Sequence, residues 1–181
     1  DKALAKAVKS LPAEFREMVE NAIQDSDEKQ FFHWEMEFPE VFYTPRHDAP
    51  ELVERIAGSG FDAVIGNPPY DVLKPEDLGT QVKLDLAFYS SIPSLSPSMK
   101  GSRNLYKVFI CQSIHLMADS AYFSMIVPMT LLGDLQASEV RKLLFDQTTI
   151  RFIDAFPQKD NPLKRVFPEA KLATTILVAK K

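Results

Sequence analysis

Apolar residues recur at two different periods along this 181-residue chain. Leu11, Phe15, Val19 and Ile23 follow one another at spacings of four, with Met18 and Ala22 beside them. That spacing predicts one amphipathic helix of about 12 residues, opened by Pro12 and ending near Asp25-Ser26-Asp27. From Trp34 to Phe38 the chain alternates apolar and polar positions inside an aromatic run, Phe31 to Phe42, which predicts a strand or extended segment stopped by Pro39. Residues 44–60 hold two prolines and two glycines and predict loop plus a short helical piece. Phe61-Asp62-Ala63-Val64-Ile65-Gly66 is a short apolar strand, cut off by Asn67-Pro68-Pro69-Tyr70 because a proline nitrogen has no N–H to give a sheet. Residues 71–103 are polar, punctuated by Pro75, Pro93, Pro97 and Gly101, and predict loop. Leu105, Val108, Phe109, Gln112, Leu116 and Met117 then mark a helix, and Tyr122 to Val127 a buried strand ended by Pro128. Leu135 to Phe145 reads as a helix with Val140, Leu143 and Leu144 inward, Ile150 to Asp154 as a strand, and Leu172 to Ala179 as a β-branched strand.

The resulting order is strand, helix, strand, helix, strand, loop, strand. Strands alternating with helices predict an α/β fold with parallel strands. The last two strands have no helix between them, so the last strand is expected to run antiparallel. Residues 1–30 form an N-terminal helical extension in this reading, and residues 31–181 the α/β part.

Composition narrows the classes. With 45% apolar and 25% charged residues, the chain is neither a disordered chain nor a fibre. No apolar run reaches the length of a membrane-spanning helix, and no secretory signal is expected after Asp1-Lys2-Ala3. The single cysteine, Cys111, excludes an internal disulfide and a cysteine-clamped zinc, and a cytoplasmic setting is expected. His33, His47 and His115 show no metal-ligand spacing, so no metal is predicted. The net charge is −4, but residues 1–99 carry 9 basic and 18 acidic side chains and residues 100–181 carry 12 and 7. A solvated acidic helix accounts for the first half. The basic second half offers a local face for phosphates.

The tetrapeptide Asn67-Pro68-Pro69-Tyr70 carries the chemistry. It follows an apolar strand, and ligands of open α/β sheets bind at the carboxyl ends of strands. Asparagine offers a carbonyl acceptor and an amide donor there. The prolines hold the neighbouring carbonyls in place and remove N–H groups, so the turn exposes acceptors. A planar amine could donate one N–H to the Asn67 side chain and one to the Pro68 carbonyl, while Tyr70 supplies a flat face for an aromatic ring. The plainer alternative is a strand-capping Asn-Pro turn.

FDAVIGNPPY resembles the catalytic motif of the adenine-specific DNA methyltransferases of restriction–modification systems. FFHWEMEFPEVF resembles a segment upstream of that motif in their large, often fused branch. NLYKVFI, YFSMIVPMTLL, FIDAF and VFPEAKLATTILV continue the resemblance in order, over roughly residues 31–179. The NPPY element is shared with methyltransferases acting on protein glutamine or on RNA, and VFPEAK is what favours DNA adenine.

The resemblance implies a partial Rossmann-like methyltransferase sheet, S-adenosylmethionine as cofactor and double-stranded DNA as partner. It implies that Asn67 and Pro68 accept hydrogen bonds from the target amine, and that Tyr70 stacks on an adenine flipped out of the duplex. Phe167 would pack edge-on against that base. Phe109 would lie on the cofactor's adenine ring, with Pro69 beside the cofactor. The aromatic cluster and Cys111 read as core. Gly58-Ser59-Gly60 opens no helix pattern, so the glycine-rich cofactor loop is expected upstream of Asp1, and AYFSMIVP lacks the family's usual pair of glycines. The chain thus reads as the C-terminal half of a catalytic domain, inactive without its N-terminal cofactor-binding half and a target-recognition domain. The alternatives are a methyltransferase acting on protein glutamine or RNA, and a truncated relic without activity.

Overall fold

The computed structural model describes residues 7–29, 32–168 and 171–181. Phe31 of the aromatic run, and Glu169 and Ala170 of VFPEAK, lie outside the described residues. The chain divides into two compact units, Asp1–Phe42 and Tyr43–Lys181.

In the first unit the predicted helix forms as α1, Ala13–Lys29, and is longer than its apolar stripe. Only Arg16, Val19 and Ile23 are half-buried between Ala13 and Gln24, while Glu14, Glu17 and Glu20 are exposed, as a solvated acidic helix requires. The extended segment expected from Phe31 to Phe42 does not form. Two single helical turns stand there, α2 (Trp34–Glu37) and α3 (Pro39–Phe42). The alternation misleads because Trp34 and Phe38 are four apart and stack at 6.2 Å, a helical neighbourhood, with Phe32 edge-on to Trp34 at 4.8 Å. Pro39 opens α3 rather than merely stopping a strand, since the first helical position needs no N–H.

The second unit begins with a hairpin, β1 (Tyr43–Pro45) against β2 (Val53–Arg55), where loop and a helical piece were expected. Thr44, Pro45 and all of β2 are exposed, so no burial rhythm announced either strand. β3 (Phe61–Gly66) follows, then α4 (Pro75–Ser91), a 3-10 segment (Pro93–Met99), α5 (Leu105–Leu116) and β4 (Met117–Pro128). After β4 come α6 (Thr130–Gly133), α7 (Ser138–Gln147), β5 (Thr149–Phe156) and β6 (Thr174–Lys180). The loop expected over 71–103 is therefore largely helical. Val82 and Leu86, spaced by four, are buried, and the prolines at 93 and 97 sit inside the 3-10 segment.

The four-stranded sheet has the order β3-β4-β6-β5. β3 and β4 are parallel, and β6 is antiparallel to both β4 and β5. The fold is thus α/β with like-directed strands and an antiparallel last strand, as the element order predicts. What the order did not give is that the last strand inserts between β4 and β5. The core lies on one sheet face, where Phe123, Met125 and Val127 alternate along β4 and join Leu177 and Ala179 of β6. Ile110, Cys111 and Ile114 of α5 and Val140 and Leu144 of α7 belong to the same cluster.

Two anchors set where β3 begins. Gly58 (φ +69°) and Gly60 (φ +153°) take conformations that L side chains rarely adopt. A Cβ on Gly60 would collide with the backbone of Leu116, Met117 and Ala118, and one on Gly58 with Asp119. The Asp119 N–H donates to the Gly58 carbonyl at 3.0 Å. The Gly-Ser-Gly segment therefore lets β3 enter against the α5–β4 junction. β4 bulges there, with Ser120 left-handed at φ 67° and a register jump from Phe61↔Met117 to Ala63↔Tyr122.

Candidate active site

β3 ends at Gly66, paired with Met125, while β4 runs on to Pro128. The turn after β3 consequently lies beside an uncovered stretch of β4. Pro68 is buried and holds the turn down, while Asn67 and Pro69 are exposed. Tyr70 is half-buried, packs against the core cluster and folds back toward β4. Its hydroxyl stands 3.1 Å from the Ile126 carbonyl and 3.1 Å from Asn67 Oδ1. Ile126 is the first β4 residue past the last one paired with β3. Burial pushes the Tyr70 pKa above the ordinary phenol value, so the group remains a neutral donor at physiological pH.

Phe167 reaches the same place from the β5–β6 connection. Its ring lies 6.4 Å from that of Tyr70 at 65°, an edge-to-face pair of half-buried aromatics. Arg165, two residues earlier, donates from its guanidinium to the carbonyls of Lys159 and Pro168, which folds the connection on itself. The structure thus brings Asn67, Tyr70 and Phe167 together at the carboxyl end of β3.

Phe109 stands apart in character. Its neighbours Val108 and Ile110 are buried, whereas Phe109 is 44% exposed, so it lies on the open side of α5 and outside the core. The start of α5 is tied to the segment after Tyr70. Leu105 N–H donates to the Asp71 carbonyl at 2.9 Å, Leu73 N–H to that of Arg103 at 2.8 Å, and Val72 bridges Asn104. Cys111 is buried in the core, and burial pushes its thiol up to about 12.

Two contributors were not singled out in the sequence. The Ile126 carbonyl is backbone, and only the strand register reveals that it faces Tyr70. Lys107 is fully buried, and its ammonium donates to the carbonyls of Lys100, Ser102 and Gln136. That clamp fixes the loop leading into Arg103 and Asn104, the partners of Asp71–Leu73. A lysine inside the otherwise apolar run of NLYKVFI was its signal.

The residues present suit one side of a methyl-donor site. Exposed Pro69 and the exposed Phe109 ring offer apolar, flat surface, and the proline turn offers acceptors. Gly58-Ser59-Gly60 offers no phosphate-like or carboxylate-like cradle, since its backbone is filled against Asp119 and residues 116–118. An open cleft of about 640 Å³ lies between Met129–Asp134 and the β5–β6 connection, with Lys159 and Lys171 on its wall.

A family model described as Eco57I restriction-modification methylase matches residues 4–162, which include Asn67–Tyr70 and Phe109 and stop short of Phe167. The Type I restriction enzyme MpnII methylase subunit of Mycoplasma pneumoniae is 27% identical over 124 residues, 68% of this chain and 21% of that protein. The chain therefore spans about a fifth of the length of this curated relative. A solved Listeria monocytogenes structure, assigned to the class I S-adenosylmethionine-dependent methyltransferases, aligns with a TM-score of 0.49 and 18% identity over 71% of this chain and 34% of that one. With the family model matched over most of its length, the chain belongs to the Eco57I family of restriction–modification methylases.

Proposed function

We propose that this chain supplies the substrate-side half of a DNA adenine-N6 methyltransferase in a restriction–modification system. The observation that carries the reading is the edge-to-face pair of Tyr70 and Phe167 beside Asn67. A flipped adenine would stack on Tyr70, with Phe167 against its edge. Its N6 amine would donate to Asn67 Oδ1 and to the Pro68 carbonyl. Both acceptors draw density toward the nitrogen and hold its lone pair on the side of Pro69 and Phe109. S-adenosylmethionine supplies an electrophilic methyl carbon at a sulfonium. Asn67 and Pro68 would hold the amine toward that carbon, so that methyl transfer would leave the thioether behind and release one amine proton to water. Positioning and charge stabilisation account for the rate in this scheme.

The matched relative is about five times longer than the region it shares with this chain. The reading therefore takes the glycine-rich cofactor loop and the DNA-recognition segment from outside residues 1–181, and places the activity with DNA in the cytoplasm. Among the described residues no helix is long and apolar enough to cross a membrane.

Asn67→Ala in the full-length enzyme is the test. Losing one acceptor of this kind costs about 2.7–4 kcal/mol, or roughly 10²–10³ in turnover. DNA affinity should hardly change. Mass spectrometry of the methylated product should find N6-methyladenine in DNA. Methylglutamine in a protein substrate, or methylated RNA, would transfer the same pocket to another substrate class. Full turnover by the alanine variant would remove Asn67 from the chemistry.

A further inference from the structure

A hydroxyl carries one proton, yet the Tyr70 hydroxyl faces two acceptor oxygens at equal distance, Asn67 Oδ1 and the Ile126 carbonyl, each 3.1 Å away. It can satisfy one of them at a time, leaving the other oxygen against an oxygen. The Ile126 carbonyl has no β3 partner, because the last pair of that ladder is Gly66↔Met125. Half-turn rotation of the Asn67 amide removes the conflict without moving any other group. Nδ2 then stands where Oδ1 stood and donates to the Tyr70 oxygen, while the Tyr70 proton goes to Ile126. The hydroxyl then accepts once and donates once, and no two acceptor oxygens are left facing each other.

We propose that Asn67 Nδ2, the Tyr70 hydroxyl and the Ile126 carbonyl form a hydrogen-bond relay that fixes the Asn67 amide with Oδ1 turned to the open side of the turn, toward the substrate amine. The inference rests on the adenine reading given above. It assigns Tyr70 two separable tasks. The ring stacks on the base, and the hydroxyl acts as a positioning group through Asn67. Pro68 cannot do this, having no side-chain donor, and Phe167 cannot, having no polar atom. Without the hydroxyl the amide rotates freely, and it presents N–H groups to an amine donor for part of the time. An amide in that state repels the substrate amine and accepts nothing from it.

Tyr70→Phe keeps the ring and deletes the relay. Four forms of the full-length enzyme decide the matter: wild type, Tyr70→Phe, Asn67→Ala and the double variant. Single-turnover transfer of tritiated methyl from S-adenosylmethionine to unmethylated genomic DNA keeps even the slow forms measurable. Thermal melts of all four separate folding from chemistry. Tyr70→Phe should slow transfer roughly 2- to 13-fold, the range of one neutral hydrogen bond, with KM for DNA and cofactor unchanged. In the Asn67→Ala background the same change should cost nothing further, because the residue it acts through is gone. An equal cost in both backgrounds, or full transfer by Tyr70→Phe alone, overturns the relay while leaving the adenine reading intact. If Asn67→Ala itself transfers at the wild-type rate, the adenine reading falls and the relay with it.

Discussion

Three side chains at the end of β3 differ sharply in what their surroundings permit. Asn67 is exposed and in contact with the Tyr70 hydroxyl, Tyr70 is half-buried with a neutral hydroxyl, and Pro68 is buried. Cys111, on the core face of α5, is the opposite case. Burial raises its pKa to about 12, which keeps the thiol protonated well into the alkaline range. At pH 8 its thiolate fraction is on the order of 10⁻⁴. Iodoacetamide at pH 8 should therefore leave the native protein unlabelled and modify it stoichiometrically in concentrated guanidinium. Rapid native labelling would show that the core around Ile110 and Ile114 opens readily. The raised pKa means that resistance to labelling weakens as pH climbs toward 12 and strengthens as pH falls, because the thiolate fraction follows pH.

Among the elements, the entry to β3 depends most on a single residue type. Gly60 combines a positive φ with backbone packed where a side chain would start. Gly60→Ala should destabilise the fold by about 2 kcal/mol or more, from strain and overpacking together. Gly133 has nothing within 4 Å of the Cβ position, so Gly133→Ala is the matched control and should shift the urea midpoint little. Equal effects of the two changes would contradict the close approach at Gly60. These glycines also show which information was local. β3, β5 and β6 were legible because compact apolar runs end at Pro68, Pro157 and the lysines after Ala179. α4 was missed because its buried stripe is thin, Val82 and Leu86, while Leu84 and Phe88 on the same helix are exposed and blur the period. The β1–β2 hairpin was missed because residues exposed on both faces leave no alternation to read. The site was partly legible. The residue types of the NPPY turn announced acceptors and a ring, but the Ile126 carbonyl and the Lys107 clamp depend on register and tertiary packing, which no local pattern encodes.

At the scale of the whole molecule, the proposed donor site has one good side. Exposed Pro69 and Phe109 provide flat surface, and the glycines of residues 58–60 are committed to packing. Stacking alone offsets little of the entropy lost when a ligand is fixed. Calorimetry of residues 1–181 at micromolar concentration should show no saturable heat with S-adenosylmethionine. Saturable binding would mean that this stretch alone builds a complete donor pocket. Among the described residues β3 is also an outer strand of the four-stranded sheet, and an outer strand edge invites pairing. Sedimentation of the same stretch should show self-association that increases with concentration, and a strictly monomeric species would mean that this edge is protected.

The position of β6 between β4 and β5 has a consequence for synthesis. Among the described residues β5 pairs in the sheet with β6 alone, and both of its neighbours in chain order, α7 and the connection bearing Phe167, precede or lead into β6. Until Thr174–Lys180 is made, β5 lacks its sheet partner and keeps its packing against α7 and the core, while β4 lacks its second ladder. β6 supplies one edge of both ladders, so the four-stranded sheet is complete only once Thr174–Lys180 has been made. A nascent chain stalled between residues 157 and 173 would expose two ladder edges at once, and would be the form most in need of a chaperone.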